Sequence, residues 1–310
     1  MTQAMPESPQ MSTAADAPKP NPSPKAAWEF SSGDEIVPGR TMQSLLGGGE
    51  RYEAYVAWNH RLMTPTVLKV LRPNVVNDDR ARRSMAKEGE LLAGLQHPGL
   101  TRVFDMDAVG DRPFIEIEYV EGPRLSTLIR RHGRLNPEQA FPLGRQLAAT
   151  LHFLHAEGIL HLDVKPSNVI MGPTPRLIDL SVARRANRAH LINGFVGTDA
   201  YMAPEQADPE LWPTISTKTD TWGMAATLYY AIAKRLPHSK GRHDATGIER
   251  FPQLVEAPAP LDPRRHSPGL TELIMDAMAR SPEERPTVAE LFDRFDDLAA
   301  LAGVGKVRFR

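Results

Sequence analysis

One segment of eight residues, 161–168, carries a carboxylate, an ammonium group and an amide at fixed spacing. Asp163 lies two residues before Lys165 and five residues before Asn168. A carboxylate can accept the proton of an attacking hydroxyl, an ammonium group can neutralise a phosphoryl group in transfer, and an amide oxygen can hold a metal ion. A polar surface loop is the alternative interpretation of this segment alone. The spacing predicts phosphoryl transfer.

The pattern His-x-Asp-x-Lys-x-x-Asn resembles the catalytic loop of the protein kinases, and further motifs of that family follow in order. Asp179, eleven residues after Asn168, stands in the place of the family's Asp-Phe-Gly. The resemblance implies that Asp179 and Asn168 bind Mg²⁺ together with phosphate oxygens. Residues 197–205 resemble the end of a kinase activation segment. In the family its glutamate, here Glu205, pairs with a buried arginine, here Arg285.

A strand and a helix are predicted upstream of the catalytic loop. Residues 66–71 alternate and are rich in β-branched side chains, which predicts a strand that carries Lys69. A polar helix is predicted at about residues 78–95. A solvated lysine on a strand edge is the alternative, but the resemblance implies that Lys69 binds the α- and β-phosphates of ATP while Glu88 holds it in place. Glu90 is the competing candidate for that partner.

The nucleotide-binding loop departs most from the family. Gly47 and Gly49 match the first two glycines of GxGxxG, but Tyr52 replaces the third. Glycines there let backbone amides approach phosphates closely, whereas a ring adds bulk and disfavours positive φ. A hairpin turn is the alternative for such a glycine run. Ala54 is smaller, and Val67 larger, than the residues usual in the family, so their volumes compensate and we expect a normal adenine pocket.

The junction between two lobes is predicted at residues 114–122, a strand that ends in Glu-Gly. It resembles the kinase hinge, whose backbone at Glu118 and Val120 pairs with adenine. The resemblance also implies that Ile117 closes the back of the pocket. Ile170, two residues after the catalytic loop, is the remaining expected contact of the nucleotide.

The resemblance covers about residues 36–300 and implies an α+β, bilobal protein-kinase-like fold. A small β-rich N-lobe with one helix is expected at residues 36–120, and a larger, mainly helical C-lobe at residues 121–302. Residues 1–35, rich in proline, alanine and serine, are predicted to be a disordered tail. Residues 303–310 are predicted to be a short basic tail.

Local signals predict three helices of the C-lobe. Residues 136–139 combine an N-cap, a first-turn proline and a capping-box glutamine, and residues 287–290 form a second capping box. The apolar run at residues 222–233 is too short to span a bilayer. It is interpreted as the buried central helix of the C-lobe. The helix is opened by Asp220, which in kinases bonds the backbone of the catalytic loop.

The activation segment lacks the usual phosphate switch. Leu162 replaces the arginine that in many kinases receives an activation-loop phosphate, and residues 182–196 contain no serine, threonine or tyrosine. These two absences agree with each other. We therefore hypothesise that the loop needs no phosphate, and that Arg184, Arg185 and Arg188 contact a partner or the chain itself.

Composition restricts the partners. The formal net charge of −1 gives no global basic field that would favour nucleic acid or an anionic membrane. The chain has no cysteine, which excludes disulfides, thiolate metal sites and cysteine nucleophiles. No run reaches the roughly 18 to 20 apolar residues that span a bilayer. From these observations we expect a cytoplasmic protein. The resemblance to the protein kinases implies that it uses ATP and Mg²⁺ and acts on serine or threonine of protein substrates, and we also expect a regulatory protein partner.

Three functions follow from these observations. The first is a protein serine/threonine kinase with Asp163 as catalytic base; Lys165 and the Gly197-Thr198 pair resemble the serine/threonine branch, and the compact form resembles bacterial members. The second is a pseudokinase, a nucleotide-binding scaffold or regulator, in which Tyr52 and the Leu180-Ser181 pair maintain a weak state. The third is a small-molecule phosphotransferase. Residues 197–205 argue against it because that segment shapes a peptide-docking surface.

Overall fold

The fold has two lobes, a β-sheet with one long helix followed by a helical lobe. The computed structural model describes residues 26–191, 194–208, 210 and 215–304. The long strands precede residue 119 and most of the helices follow it. This architecture confirms the predicted α+β, bilobal protein-kinase-like fold.

The N-lobe is built on a six-stranded antiparallel sheet with the order β1-β2-β3-β4-β6-β5. Its strands are β1 (Glu35–Val37), β2 (Arg40–Gly48), β3 (Tyr52–Asn59), β4 (Thr64–Leu71), β5 (Val103–Asp107) and β6 (Phe114–Glu118). The register places Ala54 opposite Lys69 and Lys69 opposite Ile115. Lys69 therefore lies in the centre of the sheet.

The single long helix of the N-lobe, α1 (Asp79–Ala93), lies within the predicted range. Asp78 caps its N-terminus by accepting hydrogen bonds from the N–H groups of Arg80 and Ala81. Its buried face packs toward β5 and β6, and a Cβ at Gly89 would lie 2.5 Å from Met106 Sδ. This close approach brings Glu88, the neighbour of Gly89, to the sheet.

The C-lobe is mainly helical. Its helices are α2 (Leu125–His132), α3 (Pro137–Ala156), α4 (Pro204–Ala207), α5 (Thr217–Ala233), α6 (Gly247–Arg250), α7 (Pro263–His266), α8 (Pro268–Ala277) and α9 (Val288–Leu301). Two short strand pairs hold the loops at its upper face: β7 (Ile159–Leu160) with β10 (Arg184–Arg185), and β8 (Val169–Ile170) with β9 (Arg176–Leu177). Most residues of α5 are buried, as expected of a central helix.

Helix caps follow the local sequence. Asn136 and Gln139 form a reciprocal capping box at the start of α3, and Thr287 and Glu290 form another at the start of α9. Both boxes confirm the predicted helix starts. Among the described residues, no helix is long and apolar enough to cross a membrane.

The predicted ion pair between Glu205 and Arg285 is present and inaccessible to solvent. Arg285 Nη1 lies 2.7 Å from Glu205 Oε1, and Nη2 lies 2.9 Å from Oε2. Both side chains have 0% exposure. Backbone carbonyls of Ala279 and Lys218 accept further hydrogen bonds from the guanidinium. Removal of either partner would leave a buried charge without compensation.

Residues 26–30, which we name the N-terminal strap, lie on the N-lobe sheet. The sequence interpretation assigned them to the tail, but Trp28 and Phe30 pack against the apolar cluster that includes Tyr55. Trp28 Nε1 also donates to the carbonyl of Leu71 at 2.8 Å. Two aromatic residues bury enough apolar surface to hold this short segment on the sheet.

Candidate active site

The catalytic loop is held by Asp220 at the start of α5. The N–H groups of His161 and Leu162 donate to its two carboxylate oxygens at 2.9 and 2.7 Å. Burial alone would raise the pKa of Asp220, but the hydrogen bond from His155 and the backbone N–H of Leu162 lower it. The prediction that Asp220 bonds this backbone is therefore confirmed.

Leu162 adopts an unusual backbone conformation with φ of +65°. A branched side chain is disfavoured there by about 1 kcal/mol or more. Its N–H donates to Asp220, and its carbonyl accepts a hydrogen bond from Gln206 Nε2 at 2.9 Å. The backbone of Leu162 is therefore held on both sides. The side chain is buried with Leu160 and Ala189. Apolar packing thus occupies the place where many kinases have an arginine.

Asp163, Lys165 and Asn168 meet in one cluster. Lys165 Nζ lies 2.7 Å from Asp163 Oδ2, and Asn168 Nδ2 donates to the same oxygen at 3.1 Å and to the Asp163 carbonyl at 2.9 Å. Thr198 joins them, because its hydroxyl donates to Asp163 Oδ1 at 2.8 Å and accepts from Lys165 Nζ at 2.6 Å. This cluster fixes the orientation of the Asp163 carboxylate.

Lys69 lies between two carboxylates that are distant in the sequence. Its Nζ is 2.7 Å from Glu88 Oε1 and 3.0 Å from Asp179 Oδ1. Burial opposes the charge on the lysine, but Glu88 and Asp179 outweigh it and raise the pKa of Lys69. The same ammonium group lowers the pKa of Asp179 against the effect of burial. Glu88, and not the exposed Glu90, is therefore the partner of Lys69.

Residues 179–181 replace the Asp-Phe-Gly of the family, and their aspartate, Asp179, contacts Lys69. Asp179 has a φ of +70°, and the N–H of Ser181 lies within hydrogen-bonding distance, 3.4 Å, of its Oδ1. Leu180 is 2% exposed and belongs to the main C-lobe core. Leucine thus fills an apolar slot at this position.

Tyr52 turns toward α1 instead of straining the glycine-rich loop. Its φ is not positive, whereas Gly47 has a φ of +123°, so the missing third glycine costs no backbone strain. Lys69 Nζ lies 4.6 Å from the centroid of the Tyr52 ring. The ring packs against the apolar cluster that includes Ala81 and Met85 of α1. Burial raises the pKa of Tyr52. The side chain therefore connects the loop, Lys69 and α1.

The expected adenine contacts surround the junction of the lobes. Ala54 and Val67 are partly exposed on β3 and β4, and Val67 pairs in register with Ile117. Glu118 N–H donates to the Arg102 carbonyl at 2.8 Å, while the N–H of Val120 has no backbone partner among the described residues. The hinge amide of Val120 is thus available to a ligand.

The side chains fit a magnesium-bound nucleotide. A Cβ at Gly47 or Gly49 would meet nothing within 4 Å, so the backbone there is open. Asp179 keeps Oδ2 free of hydrogen bonds within the described part of the chain, and Asn168 uses its nitrogen and leaves its amide oxygen free. Hard oxygen donors of this kind are the ligands that Mg²⁺ prefers.

Two residues that contribute to the candidate active site were not predicted from the sequence. From the sequence, Thr198 indicated only the serine/threonine branch of the family. A hydroxyl side chain at this place in the activation segment could also have predicted a contact with the catalytic loop. Arg72 gave no signal, since its role depends on packing. Its Nε donates to the Gly49 carbonyl at 2.9 Å, and its Nη1 donates to the Ala26 carbonyl at 3.0 Å and to Glu53 at 3.1 Å. It links the N-terminal strap to the glycine-rich loop.

Comparison with known proteins agrees with this geometry. The protein kinase domain family matches residues 40–294. Serine/threonine-protein kinase PknB of Mycobacterium tuberculosis strain H37Rv is 28% identical over 260 residues, which cover 80% of this chain and 41% of that protein. PknB of Mycobacterium leprae strain TN is 28% identical over 259 residues, with the same coverage.

PknD of Mycobacterium tuberculosis strain H37Rv is 29% identical over 245 residues, which cover 78% of this chain and 36% of that protein. The chain thus spans about two fifths of the length of these relatives. The family match covers most of the chain and includes every motif of the site described above. The chain therefore belongs to the protein kinase family, and the relatives that it matches are bacterial serine/threonine-protein kinases.

Proposed function

We propose that the protein transfers the γ-phosphoryl group of ATP to serine or threonine hydroxyls of protein substrates, with Mg²⁺ as cofactor. The observation that carries this proposal is the position of Lys69, within hydrogen-bonding distance of both Glu88 and Asp179. Three motifs that are far apart in the chain supply these groups. Their convergence supports an assembled phosphoryl-transfer site.

Asp163 is the proposed catalytic base. Thr198, Lys165 and Asn168 hold its carboxylate, so that it can orient the attacking hydroxyl and accept its proton. Lys165 is also placed to stabilise negative charge that develops on the transferred group. The remaining contribution of the protein is to position the two reactants.

The nucleotide is proposed to lie between the lobes. Lys69, held by Glu88, binds phosphate oxygens, and the backbone at Gly47 and Gly49 approaches them. Asn168 and Asp179 hold the Mg²⁺ ion, which when bound neutralises phosphate charge. The adenine contacts are Ala54, Val67, Glu118, Val120 and Ile170. ATP is a cytoplasmic substrate, which favours the cytoplasm as the place of action.

The activation segment supports a protein substrate over a small molecule. Asp199 accepts hydrogen bonds from Arg250 Nε at 2.8 Å and from Nη2 at 3.1 Å, and its carbonyl accepts from Gln253 at 2.9 Å. These contacts fix the activation segment against the part of the C-lobe around Arg250 and Gln253. A segment fixed beside Asp163 suits the docking of a peptide chain.

The test is phosphate transfer from labelled ATP with Mg²⁺, to the protein itself and to a generic basic protein. Asp163→Asn is expected to lower the rate by about 10²- to 10⁴-fold, because the base and its orientation are lost. Asp111→Asn changes an exposed aspartate away from the site and is the matched control. Equal rates in the wild type and in Asp163→Asn would refute the assignment of Asp163.

The alternative function, a pseudokinase, has to be distinguished from an active kinase. Nucleotide binding that depends on Lys69, without any transfer by the wild type, would establish a nucleotide-binding regulator. The binding measurement compares Lys69→Met with Lys240→Met, which alters an exposed lysine of the C-lobe. The two experiments together distinguish an active kinase from a binding module.

A further inference from the structure

A cavity of about 640 Å³ lies between α1 and the activation segment. Six cationic side chains line it, three from each wall. We name this site the basic groove: Arg80, Arg83, Lys87, Arg184, Arg185 and Arg188.

The α1 wall carries three basic residues. Arg80 lies in the first turn, where the helix dipole disfavours cations, and Arg83 follows in the second turn. Arg82, between them, donates to the backbone carbonyls of Val76 and Val109 on another face and thus has a structural role. Arg80, Arg83 and Lys87 are exposed and face the cavity. Three exposed cations thus lie together on one wall of the cavity.

The activation-segment wall is held in place by its backbone. Arg184 and Arg185 form β10, which pairs with β7. Ala183 and Ala189 are buried on either side of the three exposed arginines. The guanidinium groups thus project from a fixed backbone, which lowers the entropic cost of binding a ligand.

The charges of the groove are not neutralised within the described residues. Arg83 has only an exposed contact of 3.8 Å with Asp79, and the other five cations make no ion pair with the described chain. Glu88, which also lines the cavity, is committed to Lys69. Glu90 remains as a single acidic side chain against six cations. Such a concentration of like charge favours an anionic ligand.

Five of the six cations are arginines, whose planar donors match the oxygens of a phosphoryl group. Residues 182–196 contain no hydroxyl side chain, so this stretch cannot supply the phosphate itself. We propose that the basic groove binds a segment of another protein that carries phosphoserine or phosphothreonine. This extends the proposed function to a regulatory partner and identifies its chemistry.

A ligand in the groove would join α1 to the activation segment. Glu88 and Leu180 line the same cavity, on the side of the Lys69 ion pair. A phosphoryl group bridging both walls would hold α1 where Glu88 reaches Lys69. Bound ligand is therefore expected to stabilise α1, whether or not the protein transfers phosphate.

The experiment measures binding of a fluorescein-labelled alanine-glycine peptide that carries two phosphothreonines. Asp163→Asn is used throughout, so that the protein does not phosphorylate itself. In that background, Arg184→Ala/Arg185→Ala is expected to weaken binding at least about tenfold, because charge-assisted hydrogen bonds are lost. Arg80→Ala/Arg83→Ala on the opposite wall is expected to act similarly.

The matched control is Arg130→Ala/Arg131→Ala, an adjacent exposed pair on α2, which is expected to change affinity by less than about twofold if binding is confined to the groove. Hydrogen exchange of the α1 amides is expected to slow when the peptide binds. Absence of binding, or an equal loss in the control pair, would overturn the proposal. Equal binding of a glutamate peptide would refute the phosphoryl assignment, and tighter binding of a single-stranded oligonucleotide would refute the protein partner.

Discussion

Tyr52 shows how one side chain changes the role expected for its position. The family has a flexible glycine there, and the bulk of a ring was expected to disturb the phosphate loop. The ring instead lies 4.6 Å from Lys69 Nζ and packs against the apolar cluster that includes Ala81 and Met85 of α1. Tyr52 thus adds a contact to the Lys69 and Glu88 pair, at the cost of the mobility that glycine gives.

Tyr52→Gly is expected to weaken nucleotide binding by about tenfold, because a cation–π contact of about 1 to 2 kcal/mol that positions Lys69 is lost. Tyr52→Phe keeps the ring and is expected to stay within about twofold of the wild type. The measurement is a titration with a fluorescent ATP analogue. Tighter binding by Tyr52→Gly would mean that the ring obstructs the phosphate site.

At the scale of elements, the N-terminal strap supports the sheet next to the nucleotide. The backbone N–H of Trp28 donates to the Glu53 carboxylate at 3.1 Å. Arg72 donates hydrogen bonds to the carbonyls of both Ala26 and Gly49. Glu53 also accepts from Tyr55, and burial raises the pKa of that tyrosine. The strap, the end of β4 and the glycine-rich loop therefore form one hydrogen-bonded unit.

Deletion of residues 1–30 is expected to lower the free energy of unfolding by about 2 kcal/mol, since Trp28 and Phe30 lose their apolar contacts. Deletion of residues 1–25 keeps the strap and is expected to change it by less than about 0.5 kcal/mol. Urea denaturation followed by tryptophan fluorescence measures both. Equal stabilities of the two truncated proteins would contradict a supporting role of the strap.

For the whole molecule, buried charged and titratable groups link stability to pH. His238 is stacked on Trp222 with ring centroids 5.7 Å apart, and its Nε2 is buried without a partner in the described chain. Burial lowers its pKa to about 4 from the ordinary value of 6.5, although Glu256 acts in the opposite direction. The folded protein therefore keeps this imidazole neutral at pH values where the unfolded chain protonates it.

Because the folded pKa of His238 is lowered, its contribution to stability is complete above about pH 6.5 and is lost as pH falls toward 4. At pH 5 the loss is expected to be about 1 kcal/mol, after a discount for partial exposure. His238→Gln is expected to reduce this pH dependence, whereas His152→Gln, an exposed control, should keep it. Denaturation at several pH values measures the difference, and parallel curves for all three proteins would contradict it.

The sequence by itself determined the features that depend on neighbouring residues. The caps at Asn136 and Thr287 and the extent of α1 follow from local hydrogen bonds and periodicity. The fold class followed from the order of the family motifs. The roles of the catalytic and nucleotide-binding residues remain predictions, because spacing in the chain identifies chemical groups without showing how they act.

The tertiary structure decided what joins distant parts of the chain. It directed Tyr52 to α1 and placed the strap on the sheet. It also brought two basic segments about a hundred residues apart, residues 80–87 and 184–188, to one groove. Side-chain direction and burial arise from packing between elements, and no local pattern in the sequence contains that information.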